Sequence, residues 1–208
     1  MGLVSRNGRT PWCGGTLISS THVLTAAHCV YEKESSDIQV LLREHNTADS
    51  VIKTADVAEI INHPDWDRPT IDNDYAILRL AKPVKFNKKV APACLPADTA
   101  ATYAGVLATA TGWGKLETES NKSPTLQEVD LTVTTKSDCS NAWSGFGAQG
   151  WNITDNMICT AATGKSICTG DSGGPLIAPE NGRQAVVQDL KEISGDTQMI
   201  FKPPDRYC

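Results

Sequence analysis

The stretch Gly170-Asp171-Ser172-Gly173-Gly174-Pro175 is the part of this chain best suited to nucleophilic chemistry. Glycines on both sides of a serine permit a tight turn, leave the hydroxyl uncrowded and let another backbone come close. The N–H groups of Gly170 and Ser172 could then converge on one point, as an oxyanion hole requires. Taken alone, the pattern equally describes a Gly-rich turn with a capping serine. Pro175 argues against the helix that follows a G-x-S-x-G elbow.

A second candidate is His28, in Thr25-Ala26-Ala27-His28-Cys29. Histidine changes charge near neutral pH and suits proton transfer, although an isolated histidine is more often structural. A third is Asp74, in Asp72-Asn73-Asp74-Tyr75-Ala76-Ile77-Leu78-Arg79-Leu80. A carboxylate entering an apolar strand is poised to be buried, and a buried carboxylate needs partners. Asp72, farther from the strand, fits the commoner role of an aspartate that caps a turn. The four histidines, His22, His28, His45 and His63, show no ligand spacing with carboxylates on one helix face, so no metal is expected.

The elements that must position these residues read as short strands between turns. Ile38–Leu42, Tyr75–Leu80, Val106–Thr111, Val129–Val133 and Gln184–Gln188 are the strand candidates. Segments between them are rich in Gly, Pro, Asn and Ser, and no long amphipathic helix stands out. An all-β barrel or sandwich is predicted. Small residues cluster between Pro96 and Gly105, where a boundary between two lobes is placed. No repeat or low-complexity tract is visible.

The 208 residues suffice for one compact unit or two small lobes. Net charge is −5 and no basic patch stands out, which argues against nucleic acid as a partner. No apolar run approaches the ~18 residues that span a bilayer, so no membrane association is expected. The first nine residues have no apolar stretch of the signal-peptide kind. Seven cysteines, none in a C-x-x-C pair, fit disulfides formed in an oxidising compartment; the bland alternative is a set of buried thiols in a cytosolic protein. The odd count leaves at least one cysteine free or paired outside the chain.

Taken together, the three chemical stretches resemble the signature blocks of the trypsin/chymotrypsin-like serine proteases, in that family's order of histidine, aspartate, serine. Trp12-Cys13-Gly14-Gly15-Thr16-Leu17-Ile18, Ala93-Cys94-Leu95-Pro96 and Thr111-Gly112-Trp113-Gly114 agree as well, and the likeness runs from about Val4 to Ile177. The resemblance implies two antiparallel Greek-key six-stranded barrels, approximately residues 1–100 and 101–208, with the active site in the cleft between them. It implies a serine endopeptidase acting through an acyl-enzyme, with Ser172 as nucleophile, His28 as general base, Asp74 orienting the histidine, and Gly170 and Ser172 as oxyanion donors. Six positions before the nucleophile stands Ser166, which by the same analogy lies at the base of the primary pocket. An uncharged pocket base favours apolar or aromatic side chains, a chymotrypsin-like preference. By analogy Cys13 pairs with Cys29 and Cys139 with Cys159, whereas Cys94, Cys168 and Cys208 have no assigned partner. Protein or peptide substrates, protein inhibitors, no cofactor, a monomeric state and secretion follow from the likeness. The sequon Asn152-Ile153-Thr154 agrees with secretion, and Asn121-Lys122-Ser123 is a second sequon weakened by Pro124.

Two features depart from the pattern. The family's Ile-Val-Gly-Gly-like start has no match, and its freed amine is the usual partner of the aspartate before the nucleophile, here Asp171. After Ile177 the motif likeness decays, so the second barrel is expected to be incomplete and the tail from about 178 atypical, with reduced stability. Two further readings therefore stand beside the enzyme: a non-catalytic protease-like binding protein and an inactive truncated product.

Overall fold

The computed structural model describes residues 1–42, 45–47, 53–97, 101–117, 120–144, 152–190 and 197–201. Cys208 and the rest of the tail from 202 lie outside the described residues.

Seven strands form the first sheet: β1 (Gly2–Ser5), β2 (Cys13–Gly14), β3 (Thr16–Leu17), β4 (His22–Thr25), β5 (Ile38–Leu42), β6 (Lys53–Asn62) and β7 (Ala76–Leu80). They run in the order β2-β1-β5-β6-β7-β4-β3, antiparallel throughout. Its two edges, β2 and β3, are one stretch of chain interrupted at Gly15, so the sheet curls until its edges meet through a covalent link. The strand count exceeds six because of that interruption. A side chain at Gly15 would sit 2.9 Å from Val23 Cγ1, which explains a glycine at the corner. β6 is long enough to serve two partners. Residues 53–56 pair with β5, and after a register shift between Val57 and Glu59 the strand pairs with β7. A bulge of this kind bends a strand around a barrel corner.

Six strands close the second barrel: β8 (Leu107–Gly112), β9 (Gln127–Val133), β10 (Met157–Ala161), β11 (Pro175–Glu180), β12 (Arg183–Leu190) and β13 (Thr197–Phe201), in the ring β10-β13-β12-β11-β8-β9. The segment whose sequence looks atypical therefore supplies the two strands that complete the ring. Sheet pairing needs only backbone groups, so residues outside the family's motifs can do it. The local cause of β12 is Asn181-Gly182, with φ of 50° and 76°, between the paired residues Glu180 and Arg183. Asn-Gly with both φ positive is the favoured two-residue hairpin turn.

Leu3, Val23, Ile38, Val40 and Leu78 lie in the core of the first barrel, and Ala108, Leu131, Val133, Leu176 and Val187 in that of the second. Each fully buried Leu, Ile or Val contributes about 1.5–3 kcal/mol relative to exposure. A third cluster lies under α2 (Lys136–Trp143), where Cys139 and Trp143 meet Ile153, Met157 and Cys159. The helix starts at Thr135, whose side chain accepts from Asp138 N. Disulfides join Cys13 to Cys29 and Cys139 to Cys159; Cys94 is also disulfide-bonded, and Cys168 is a free thiol. Among the described residues, no helix is long and apolar enough to cross a membrane.

Candidate active site

Asp74 stands one residue before Tyr75 and two before β7, wholly buried. Its Oδ2 lies 2.6 Å from His28 Nδ1, and its Oδ1 accepts from the His28 main-chain N–H at 2.7 Å. The approach to Asp74 is conformationally costly: Ile71 and Asn73 have φ of 59° and 54°. Such values are uncommon outside glycine, and rarer still for a β-branched residue. His28 belongs to α1 (Ala27–Val30), a single helical turn whose other side chains face the core, leaving its own imidazole 32% exposed. The arrangement fixes one ring nitrogen, Nδ1.

Ser172 sits on two consecutive turns built by the glycines. Asp171 N donates to Cys168 O at 2.9 Å with Gly170 at φ 107°, and Gly174 N donates to Asp171 O at 2.9 Å with Gly173 at φ 76°. Each turn places a glycine at the position where a type II turn demands positive φ. Asp171 is shared by the two turns, and Ser172 is the second residue of the second one. These turns lie against the histidine segment. Gly14 N donates to Ser172 O at 2.7 Å, and a side chain on Gly173 would come within 2.4 Å of Thr25 Oγ1. The Cys29 sulfur lies 3.6 Å from His28 Nε2 and 3.7 Å from Ser172 O, so the histidine tip and the serine backbone flank the same atom. That sulfur is committed to the bond with Cys13 and offers no thiolate to a metal.

The Asp171 carboxylate is held by main-chain amides. It accepts from Gly114 N at 2.7 Å and Cys168 N at 3.0 Å. Side chains at Gly112 or Gly114 would overlap it, so the Gly-Trp-Gly block at the end of β8 is a cradle for this carboxylate.

Ser166 is exposed, and its hydroxyl donates to Ile167 O at 2.8 Å. It lines a cavity of about 130 Å³ together with Gly112, Gly114, Ile167 and Asp171. The position is therefore accessible to solvent. Asp72 caps its turn by accepting from Asn73 N at 3.0 Å, and it also accepts from Thr154 Oγ1 at 2.9 Å and Asn156 Nδ2 at 3.1 Å across the two barrels. That second task carries no local sequence signal. Lys122 likewise gives no sign in the sequence of belonging near the site. It crosses from the β8–β9 connection to donate to Pro11 O at 2.7 Å.

The family model described as Trypsin matches residues 1–196, extending past Ile177 where the motifs end. Trypsin-3 of Salmo salar is 39% identical over 171 residues, covering 80% of this chain and 67% of that protein. Serine protease 1 of Rattus norvegicus is 39% identical over 179 residues, covering 84% of this chain and 68% of that protein. With the strand-built double barrel, these likenesses establish that the chain belongs to the trypsin family of serine proteases.

Proposed function

We propose that this chain is a serine endopeptidase that cleaves proteins or peptides through an acyl-enzyme. Ser172 Oγ attacks the scissile carbonyl while His28 Nε2 takes its proton. Asp74 holds the proton on Nδ1 and stabilises the imidazolium. The oxyanion accepts hydrogen bonds from Gly170 N and Ser172 N. The tetrahedral species then breaks its C–N bond, with the histidine proton passing to the leaving amine. Water, activated by the same histidine, hydrolyses the acyl-serine ester and restores the hydroxyl. The observation that carries this reading is the double attachment of His28 to a fully buried Asp74. Titration with a fluorophosphonate, which forms a bond only to an activated serine, tests it. Stoichiometric labelling of the wild-type chain and none of Ser172→Ala is expected; equal labelling of the two defeats the assignment.

For primary specificity, an uncharged Ser166 removes the carboxylate that would favour Arg or Lys, and cleavage after Phe or Leu is the proposed preference. The exposure of Ser166 makes the discrimination modest, because water screens an unpaired cation there. A panel of peptides differing only before the cut decides it, and faster cleavage after Arg than after Phe or Leu sinks the proposal. Secretion and monomeric action against protein substrates, with protein inhibitors as natural antagonists, complete the reading.

A further inference from the structure

We propose that Lys122 is a positioning residue for the nucleophile turn, bracing Gly170 with its stem and facing Asp171 with an ammonium anchored on the first barrel. This inference rests on the serine-protease reading of the site. The stem is in contact with the turn: a Cβ built on Gly170 would lie 2.9 Å from Lys122 Cε and 3.3 Å from Cδ. Gly170 thus has two reasons to be glycine, its φ of 107° and the lysine lying on it. The ammonium donates to Pro11 O at 2.7 Å, 111 residues away along the chain, so one side chain straps the second barrel's turn to the first barrel.

Charge points the same way. Asp171 is partly buried, and its carboxylate is held by the amides of Gly114 and Cys168. Amides supply partial charges only, and a carboxylate withdrawn from water is stabilised further by a nearby cation. Lys122 supplies one. Burial pushes its ammonium below the usual lysine range, Asp171 opposes that push, and Lys115 adds to it. The carboxylate therefore lies within electrostatic reach of the lysine. Because it lies within the β8–β9 connection, this cation is present whatever group stands at the amino end of the chain. The order of the turn that carries the Gly170 and Ser172 N–H groups is then set partly from inside the fold.

Two readouts test the strap on the full chain. The first is hydrogen exchange at the Gly114, Cys168, Asp171 and Gly174 amides, the donors that hold the carboxylate and the turns. The second is the rate of fluorophosphonate labelling at Ser172. Lys122→Met is expected to accelerate exchange at those amides and slow labelling, each by about tenfold or more, with exchange at Leu131 and Val133 in the barrel core unchanged. Lys122→Arg keeps charge and donor and is expected to restore most of both. Wild-type exchange in Lys122→Met overturns the proposal, as does an arginine variant as impaired as the methionine one, or exchange that rises equally in the core. If the wild-type chain fails to label while the four amides still respond to Lys122→Met and recover with arginine, the positioning role stands and the catalytic reading falls.

Discussion

Asp74 grips His28 at two points, its Oδ2 at the ring Nδ1 and its Oδ1 at the main-chain N–H, at 2.6 and 2.7 Å. A carboxylate can accept at both because neither oxygen carries a proton. An amide cannot, since it presents one acceptor and one donor. In Asp74→Asn, an NH₂ facing Nδ1 forces the ring proton onto Nε2, where it blocks acceptance from a serine hydroxyl. Labelling at Ser172 is expected to fall by about 10⁴-fold, the magnitude that the same change has in the type example of this family's triads. A loss below tenfold would contradict the role given to Asp74.

The glycine after the nucleophile is held by contact as well as by conformation. Gly173 has φ 76°, and a Cβ there would lie 2.4 Å from Thr25 Oγ1 and 2.8 Å from Gly14 O. Thr25 Oγ1 is itself engaged with Gly14 O at 2.9 Å, so it cannot yield without losing that bond. Gly182 shares the φ of 76° but has nothing within 4 Å of a built Cβ. Gly182→Ala should cost about 1–2 kcal/mol, the backbone term alone. Gly173→Ala should cost about 1–3 kcal/mol more from overpacking. Calorimetry on both variants separates the terms, and equal melting temperatures would show that the predicted clash relaxes freely.

Much of the fold and site is legible in the sequence alone. Ile38–Leu42 is an apolar run rich in β formers, and it is β5 with the same limits. The three chemical stretches are short and local, and their residue types declare themselves. The chain after Ile177 misleads, because motifs fade there while hydrogen-bonding capacity does not; Asn181-Gly182 is the signal for the β11–β12 hairpin. Thr135-Lys136-Ser137-Asp138 likewise announces the start of α2. Lys122 and the far side of Asp72 are not readable, because each matters through a partner more than 80 residues away in sequence.

Tyr75, next to Asp74, gives a pH signature. Burial pushes its phenol above the usual tyrosine range, and the charges of Asp65 and Asp72 push the same way. A raised folded value means that the folded state holds the proton more tightly than the unfolded state. The associated stability is present below about pH 10, the ordinary value, and is lost as pH rises through the folded one. The residue is only partly buried, so the effect on stability is small. Ultraviolet titration of the wild-type chain against Tyr75→Phe should show one missing ionisation above pH 10; a missing step at or below 10 would reverse the sign.

Asp72 joins the loop that delivers Asp74 to the second barrel. Its Oδ1 receives Thr154 Oγ1 and Asn156 Nδ2, and Asn156 Nδ2 also reaches Asn73 Oδ1 at 3.1 Å. Hydrogen bonds to a charged acceptor contribute about 1.5–3 kcal/mol, more than neutral pairs. Asp72→Ala removes the cross-barrel bonds together with the local cap on Asn73 N, whereas Thr154→Val removes one cross-barrel bond and the local bond from Asn156 N while keeping the side-chain shape. If Asp72 only capped its own turn, the two substitutions would add. Because it is shared between the barrels, a double-mutant cycle on unfolding free energy should return a coupling of about 0.5–2 kcal/mol. Labelling at Ser172 should fall severalfold in Asp72→Ala, since the strained residues Ile71 and Asn73 lose a restraint that holds Asp74 in place. Additivity within about 0.3 kcal/mol, with unchanged labelling, would reduce Asp72 to the turn-capping role its sequence position suggests.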